Sequence, residues 1–293
     1  MTLSHTRAVA GMLLVTLMWS SAGLVTRQLQ SAASFEVTFW RSCFTLIALG
    51  LYFAATQGRS AFAFLRQGGK TLWMSGLMWA VMFTCFMLAI TMTTVANVLI
   101  TMSISPLVTA VLASVMLGHA VKRRTWVAIV LAGAGIAWMY GHNLSADPKH
   151  LVGTLVALAV PIAAAINWIL LQRSGKTVDL VPALFIGALI SSVVVLPFAL
   201  PFRASVPDLG WLAFLGVFQL AVPCALAVRL ARQMPAPEIS LLALLETVFG
   251  IAWVWWISHE RPSQHVLVGG SVVLLTLAIN EIVGMQAAKR GHT

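Results

Sequence analysis

The sequence predicts an all-α membrane protein of ten transmembrane helices, arranged as two inverted five-helix repeats. Three observations predict it. Of the 293 residues, 60% are hydrophobic and 9% charged, with a mean hydropathy of +0.93; a soluble domain has roughly 45–50% apolar and 25% charged residues. Ten apolar runs approach the ~20 residues that cross ~30 Å of hydrocarbon. The second half also echoes the first at an offset of about 142 residues: Gly11-Met-Leu-Leu corresponds to Gly153-Thr-Leu-Val, and Ser105-Pro-Leu-Val to Glu246-Thr-Val-Phe. Five is odd, so consecutive five-span halves insert upside down relative to each other, which makes residues 1–142 the first repeat and 143–293 the inverted second. Such repeats place a substrate site at their interface near mid-membrane.

Taken in order, the spans are 8–25, 35–55, 72–90, 94–117, 126–140, 151–171, 180–200, 211–230, 239–258 and 266–287. The first follows only seven residues and has no small-residue cleavage site after it, so it reads as a retained span rather than a signal peptide. It carries Thr16, Trp19, Ser20 and Gly23, followed by Arg27. The second contains Arg41, a cation at depth that either meets a substrate carboxylate or snorkels to the outer interface. In the third, Trp79 and Phe83 lie one turn apart and, with Trp19, form a candidate aromatic wall. The fourth sets Thr94, Asn97, Thr101 and Ser105 on one face at intervals of three or four. Cavity lining and small-residue helix packing both explain that stripe.

Asn167 in the sixth span and Gln219 in the eighth are isolated amides and candidate substrate contacts. Pro106, Pro161 and Pro223 fall within spans, where each removes a backbone hydrogen bond; Pro161 and Pro223 are the hinge candidates. The ninth span contains Glu246 and the tenth Glu281. Intramembrane acids are functional candidates because burying them is costly. Glu246 is suited to binding a proton or a polar substrate group, or to bonding a neighbouring backbone. Glu281 is a candidate partner for Arg229. Of the tryptophans, Trp40, Trp73, Trp126, Trp138, Trp168, Trp211, Trp253, Trp255 and Trp256 lie near span ends and read as interfacial belt residues.

The net charge of +10 is distributed as topology predicts, on alternate loops. With the N-terminus inside, thirteen Lys and Arg fall on the cytoplasmic side and four, Arg27, Lys149, Arg203 and Arg261, outside. Both termini are therefore expected in the cytoplasm of a multi-pass protein in the cytoplasmic (inner) membrane. Loops are too short for a nucleotide-binding or catalytic domain, and no GxSxG, HExxH or Walker A pattern is present. An enzyme is not predicted. Cys43, Cys85 and Cys224 are odd in number and lack CxxC spacing, and the histidines lie in loops, span ends or tails, so neither a metal nor another cofactor is implied. Few cations at depth argue against phosphorylated cargo, whose anionic groups need several basic partners.

Gly11…Leu17-Met-Trp19-Ser-Ser, Phe39-Trp-Arg41, Ala96…Ser105-Pro-Leu…Leu117-Gly-His, and Leu245-Glu-Thr-Val…Ser258-His-Glu260…Gly269 together resemble the EamA family of the drug/metabolite transporter superfamily. Within it the chain looks most like YddG-type aromatic amino-acid exporters. The resemblance covers nearly the whole chain and implies a basket-shaped carrier that exports amino acids, other small metabolites or toxic compounds. The family's frequent Glu-Pro-Val is Glu246-Thr247-Val248 here, so the glutamate carries over without the kink. His119 replaces an acid that Glu260 keeps in the second repeat. The expectation is an exporter of aromatic or other neutral or zwitterionic amino acids and similar metabolites, working by alternating access. Its partners are that small substrate and the bilayer, with no nucleic acid and no obligatory protein partner. The alternatives are a multidrug or other-metabolite exporter and, less strongly, a pore. Candidate cavity residues are Trp19, Ser20, Arg41, Trp79, Phe83, Asn97, Thr101, Ser105, Asn167, Gln219 and Glu246.

Overall fold

In the computed structural model, the described residues are 5–117, 123–141, 148–174, 180–230, 236–257 and 261–290. They form helices joined by short connections, with no strand among them. The helices are α1 (His5–Thr26), α2 (Ser34–Gln57), a short α3 (Phe64–Gln67), α4 (Lys70–Met92), α5 (Val95–Ser103), α6 (Ser105–Leu117) and α7 (Arg123–Gly141). They continue with α8 (Pro148–Ser174), α9 (Val181–Ala199), α10 (Val206–Phe214), a π-helical stretch Leu215–Ala221, α11 (Val222–Leu230), α12 (Ala236–Ile257) and α13 (Gln264–Arg290).

The ten-span expectation is met only in part. Among the described residues, seven helical stretches are long and apolar enough to cross a membrane: Arg7–Thr26, Ser34–Ser60, Lys70–Met92, Val95–Met116, Val181–Ala199, Val206–Leu230 and Gln264–Gly284. Leu151–Asn167 and Leu242–Ile257 are apolar but shorter, and α7 opens on Arg123-Arg124. Length and apolarity together make this a multi-pass membrane protein.

Two expected spans are interrupted. The first breaks at Ile104, where α5 ends and α6 begins. Pro106 then occupies the first turn of α6, where its missing N–H costs little, and the new helix is started by Leu107 and Val108 donating to the Ile104 carbonyl at 2.9 and 3.1 Å. The second is the π-helical stretch immediately before Pro223. Its widened turn frees the Gly216 carbonyl, which accepts from the Thr45 hydroxyl at 2.8 Å. Pro161, by contrast, lies inside an unbroken α8. The helix interruptions thus fall beside Pro106 and Pro223, while α8 runs on through Pro161.

Packing interleaves the front and back of the chain. α4 packs on α8 and α9, α1 on α12 and α11, and α2 on α9 and the π-helical stretch, while α5 and α6 pack on α8, and α7 pairs with α13. Exchange α1 with α8, α2 with α9, α4 with α10–α11, α5–α6 with α12 and α7 with α13, and the main interfaces map onto one another. Close approach repeats in the same way. A Cβ on Gly76 of α4 would sit 2.4 Å from Ile186 Cγ2 of α9, and one on Gly216 would sit 2.6 Å from the Arg41 carbonyl of α2. Hydroxyls join the centre, where Ser191 of α9 meets Ser42 of α2 at 3.0 Å and Thr84 of α4 at 2.8 Å.

On one face of the bundle two buried carboxylates lock opposite loops. Glu36, in the first turn of α2, accepts from the backbone N–H groups of Arg203 and Ala204 at 2.8–2.9 Å. Asp208, in the first turn of α10, accepts from the N–H groups of Gln30 and Ser31 at 3.0 and 2.9 Å, and forms a capping box with Ser205. Each loop is held by an acid rooted in the helix that follows the other loop.

Candidate transport site

A charged network lies at depth between the front and back helices. Arg41, 2% exposed, donates from Nε and Nη2 to Gln219 Oε1 at 3.2 and 2.8 Å. The Gln219 amide in turn donates to the Trp19 carbonyl at 3.2 Å. The guanidinium also lies 5.6 Å above the Phe86 ring centroid. Arg41 does not snorkel to the interface: the π-helical widening turns Gln219 toward α2, and a partner at depth removes the reason to reach for water.

Two further groups complete the network. Cys224, one turn past Gln219, is buried and free, within hydrogen-bonding reach of the Trp19 side chain. Glu246 of α12 is half-buried and close enough to Arg41 for their charges to interact. Glu246 thus stands in the interior of α12 (Ala236–Ile257), within electrostatic reach of the guanidinium.

The remaining candidates divide into those beside this network and those held elsewhere. Trp79 and Phe83 are buried with ring centroids 5.4 Å apart, and Trp19 packs on the same cluster. Two of the three expected wall aromatics thus form a ring pair, and the third packs on the cluster that contains them. Ser20 is buried and accepts from Trp253 Nε1 at 3.2 Å, so Trp253 is tied to the bundle on one edge. Asn167 accepts from Ser75 at 2.6 Å and is 6% exposed, which commits its carbonyl to α4. Asn97 and Thr101 share a buried face of α5, where Asn97 donates to Thr93 Oγ1 at 3.1 Å. Ser105, half-buried, lies past the Ile104 break and opens α6.

Arg229 donates to the Tyr52 hydroxyl and stacks over that ring; its expected pairing with Glu281 involves a side chain outside the described residues. The Glu281 and Trp168 side chains, His119, and Glu260 lie outside the described residues. Sequence reasoning missed Glu36 and Asp208, although Ser205-Val-Pro-Asp208 is a capping-box spacing that signals an ordered helix start. It also missed Cys224 and Ser75, whose roles depend on the residues they meet.

A family model described as the EamA-like transporter family matches the chain twice, over residues 6–141 and 151–281. The chain belongs to the EamA-like transporter family. Comparison with curated proteins gives no match. A solved structure titled only "Crystal structure of protein" is similar to this EamA-like transporter with a TM-score of 0.64 at 14% identity, covering 97% of this chain and 99% of that one. At that identity the likeness concerns the fold alone. Membership makes this chain a membrane transporter of small substrates, and two matches to one family model give the faint echo of Gly11 and Gly153 a basis in duplication.

Proposed function

We propose that this EamA-like transporter exports neutral or zwitterionic amino acids, aromatic ones among them, from the cytoplasm by alternating access around the space bordered by Arg41, Gln219, Trp19 and Glu246. The chain crosses the cytoplasmic membrane ten times as two inverted halves, 1–142 and 143–293, with both termini inside. The observation that carries the reading is the juxtaposition of a half-buried carboxylate, Glu246, with a guanidinium already committed to Gln219. Glu246 faces the substrate ammonium. Arg41 acts as a positioning residue: it holds Gln219 and balances the acid without spending its donors on cargo. Trp19, Trp79 and Phe83 supply an apolar surface for the side chain, which suits an aromatic ring.

The test is uptake of labelled amino acids into proteoliposomes, with and without unlabelled amino acid inside and with and without a proton gradient. Saturable flux with counterflow supports the reading, and loss of ~10–100-fold in Glu246→Gln follows from removing one charge-assisted contact of about 1.5–3 kcal/mol. No flux for any amino acid overturns the cargo. An acid at depth also suits a lipophilic cation, so the same vesicles are offered one. Cation flux that Glu246→Gln abolishes assigns multidrug export instead, and flux that never saturates assigns a pore.

A further inference from the structure

The lipid-facing side of α12 carries a feature the transport site does not use. Phe249, Ala252, Trp253 and Trp256 recur at i, i+3, i+4 and i+7 along this helix, and with Leu17 of α1 and Arg261 they line a groove of about 680 Å³. It opens outward: Leu17 is 42% and Trp256 76% exposed. Ala252 is a small, exposed lining residue between larger ones, which leaves room along the groove. The Trp253 and Trp256 rings stack within 20° of parallel at 6.4 Å, giving one flat wall. That wall is set in place, because Trp253 Nε1 donates to Ser20 Oγ and Ser20 in turn donates to the Leu17 carbonyl at 2.8 Å.

At one end of this apolar slot lies Arg261, just beyond the end of α12 at Ile257. The same end carries Trp255 and Trp256, the residue type that concentrates at the level of lipid headgroups. A guanidinium at headgroup level above a slot of hydrocarbon depth matches a molecule with one phosphate and a long apolar tail. We infer that this groove is a glycerophospholipid site, with an acyl chain lying along Phe249, Ala252 and the indoles and the phosphodiester hydrogen-bonded by Arg261. The leaflet is the one on the side of Glu36 and Asp208, since Gly23 near the end of α1 approaches Val254 near the end of α12.

Native mass spectrometry of the purified full chain, titrated with phosphatidylglycerol and with phosphatidylethanolamine, tests this. The wild type is expected to retain one phospholipid more tightly than the rest. Arg261→Gln removes the phosphate contact and Ala252→Phe fills the slot at an exposed position; each is expected to weaken retention about tenfold or more. Arg66→Gln, an exposed cation elsewhere, leaves retention unchanged. Equal loss in all three variants, or no loss in Arg261→Gln and Ala252→Phe, overturns the proposal. So does displacement of the lipid by inorganic phosphate alone, which assigns a free-anion site. A preference for phosphatidylglycerol or for phosphatidylethanolamine names the headgroup, and either supports the site.

Discussion

Gln219 illustrates how much one uncharged side chain decides in an apolar interior. Its carbonyl takes two donors from Arg41 and its amide reaches the Trp19 carbonyl. Gln219→Leu leaves a guanidinium buried without its partner and is expected to cost about 3–5 kcal/mol. Arg41→Met paired with Gln219→Leu removes both sides, and the double variant is expected to be less destabilised than the sum of the singles. Thermal unfolding in detergent measures both. At this scale the sequence singled out polar residues that the fold brings together and was silent about how they meet. Arg41, Gln219 and Glu246 stand out because polar groups are scarce in such spans, but no spacing links residues 178 positions apart. Glu36 was invisible for the opposite reason: an acid near a span end reads as surface, whereas its three hydrogen-bond donors come from a loop far along the chain and from Trp40.

Among the helices, the decisive quantity is how near their backbones come. A methyl on Gly216 would press on the Arg41 carbonyl and Phe44 Cβ, both at 2.6 Å, and one on Gly187 would lie 2.5 Å from Trp79 Cβ, whereas nothing lies within 4 Å of a Cβ on Gly133 or Gly210. Gly216→Ala and Gly187→Ala are expected to destabilise by roughly 1–3 kcal/mol. Gly133→Ala, in a helix interior facing outward, is expected to be neutral or stabilising by up to about 1 kcal/mol. The melting temperatures of these variants check the ordering. Helix positions were legible, because apolar runs in a bilayer admit little else than helix. The breaks were not. Pro106 and Pro161 look alike in sequence, and what separates them is whether the proline falls in the first turn of a restarted helix or in the middle of a continuous one.

For the molecule as a whole, duplication governs the arrangement. Gly11 abuts Leu230 of α11, and its counterpart Gly153 abuts Met92 of α4, so the weak echo between these glycines marks equivalent contacts made by the two halves. If both termini are cytoplasmic, fluorescent-protein fusions at either end fluoresce and alkaline-phosphatase fusions at either end stay inactive; an active phosphatase at one end alone refutes an even number of crossings. The reciprocal loop locks carry a consequence for biogenesis. Residues 27–33 emerge from the ribosome early, but the carboxylate that holds Gln30 and Ser31 belongs to Asp208, and Glu36 likewise waits for Arg203 and Ala204. Until that later stretch is translated and inserted, Glu36 has no backbone donors from residues 203–204. A nascent chain truncated before residue 203 should therefore be open to protease at 27–33, while one extended past Asp208 should become resistant there, so that closure of this face reports completion of the second half.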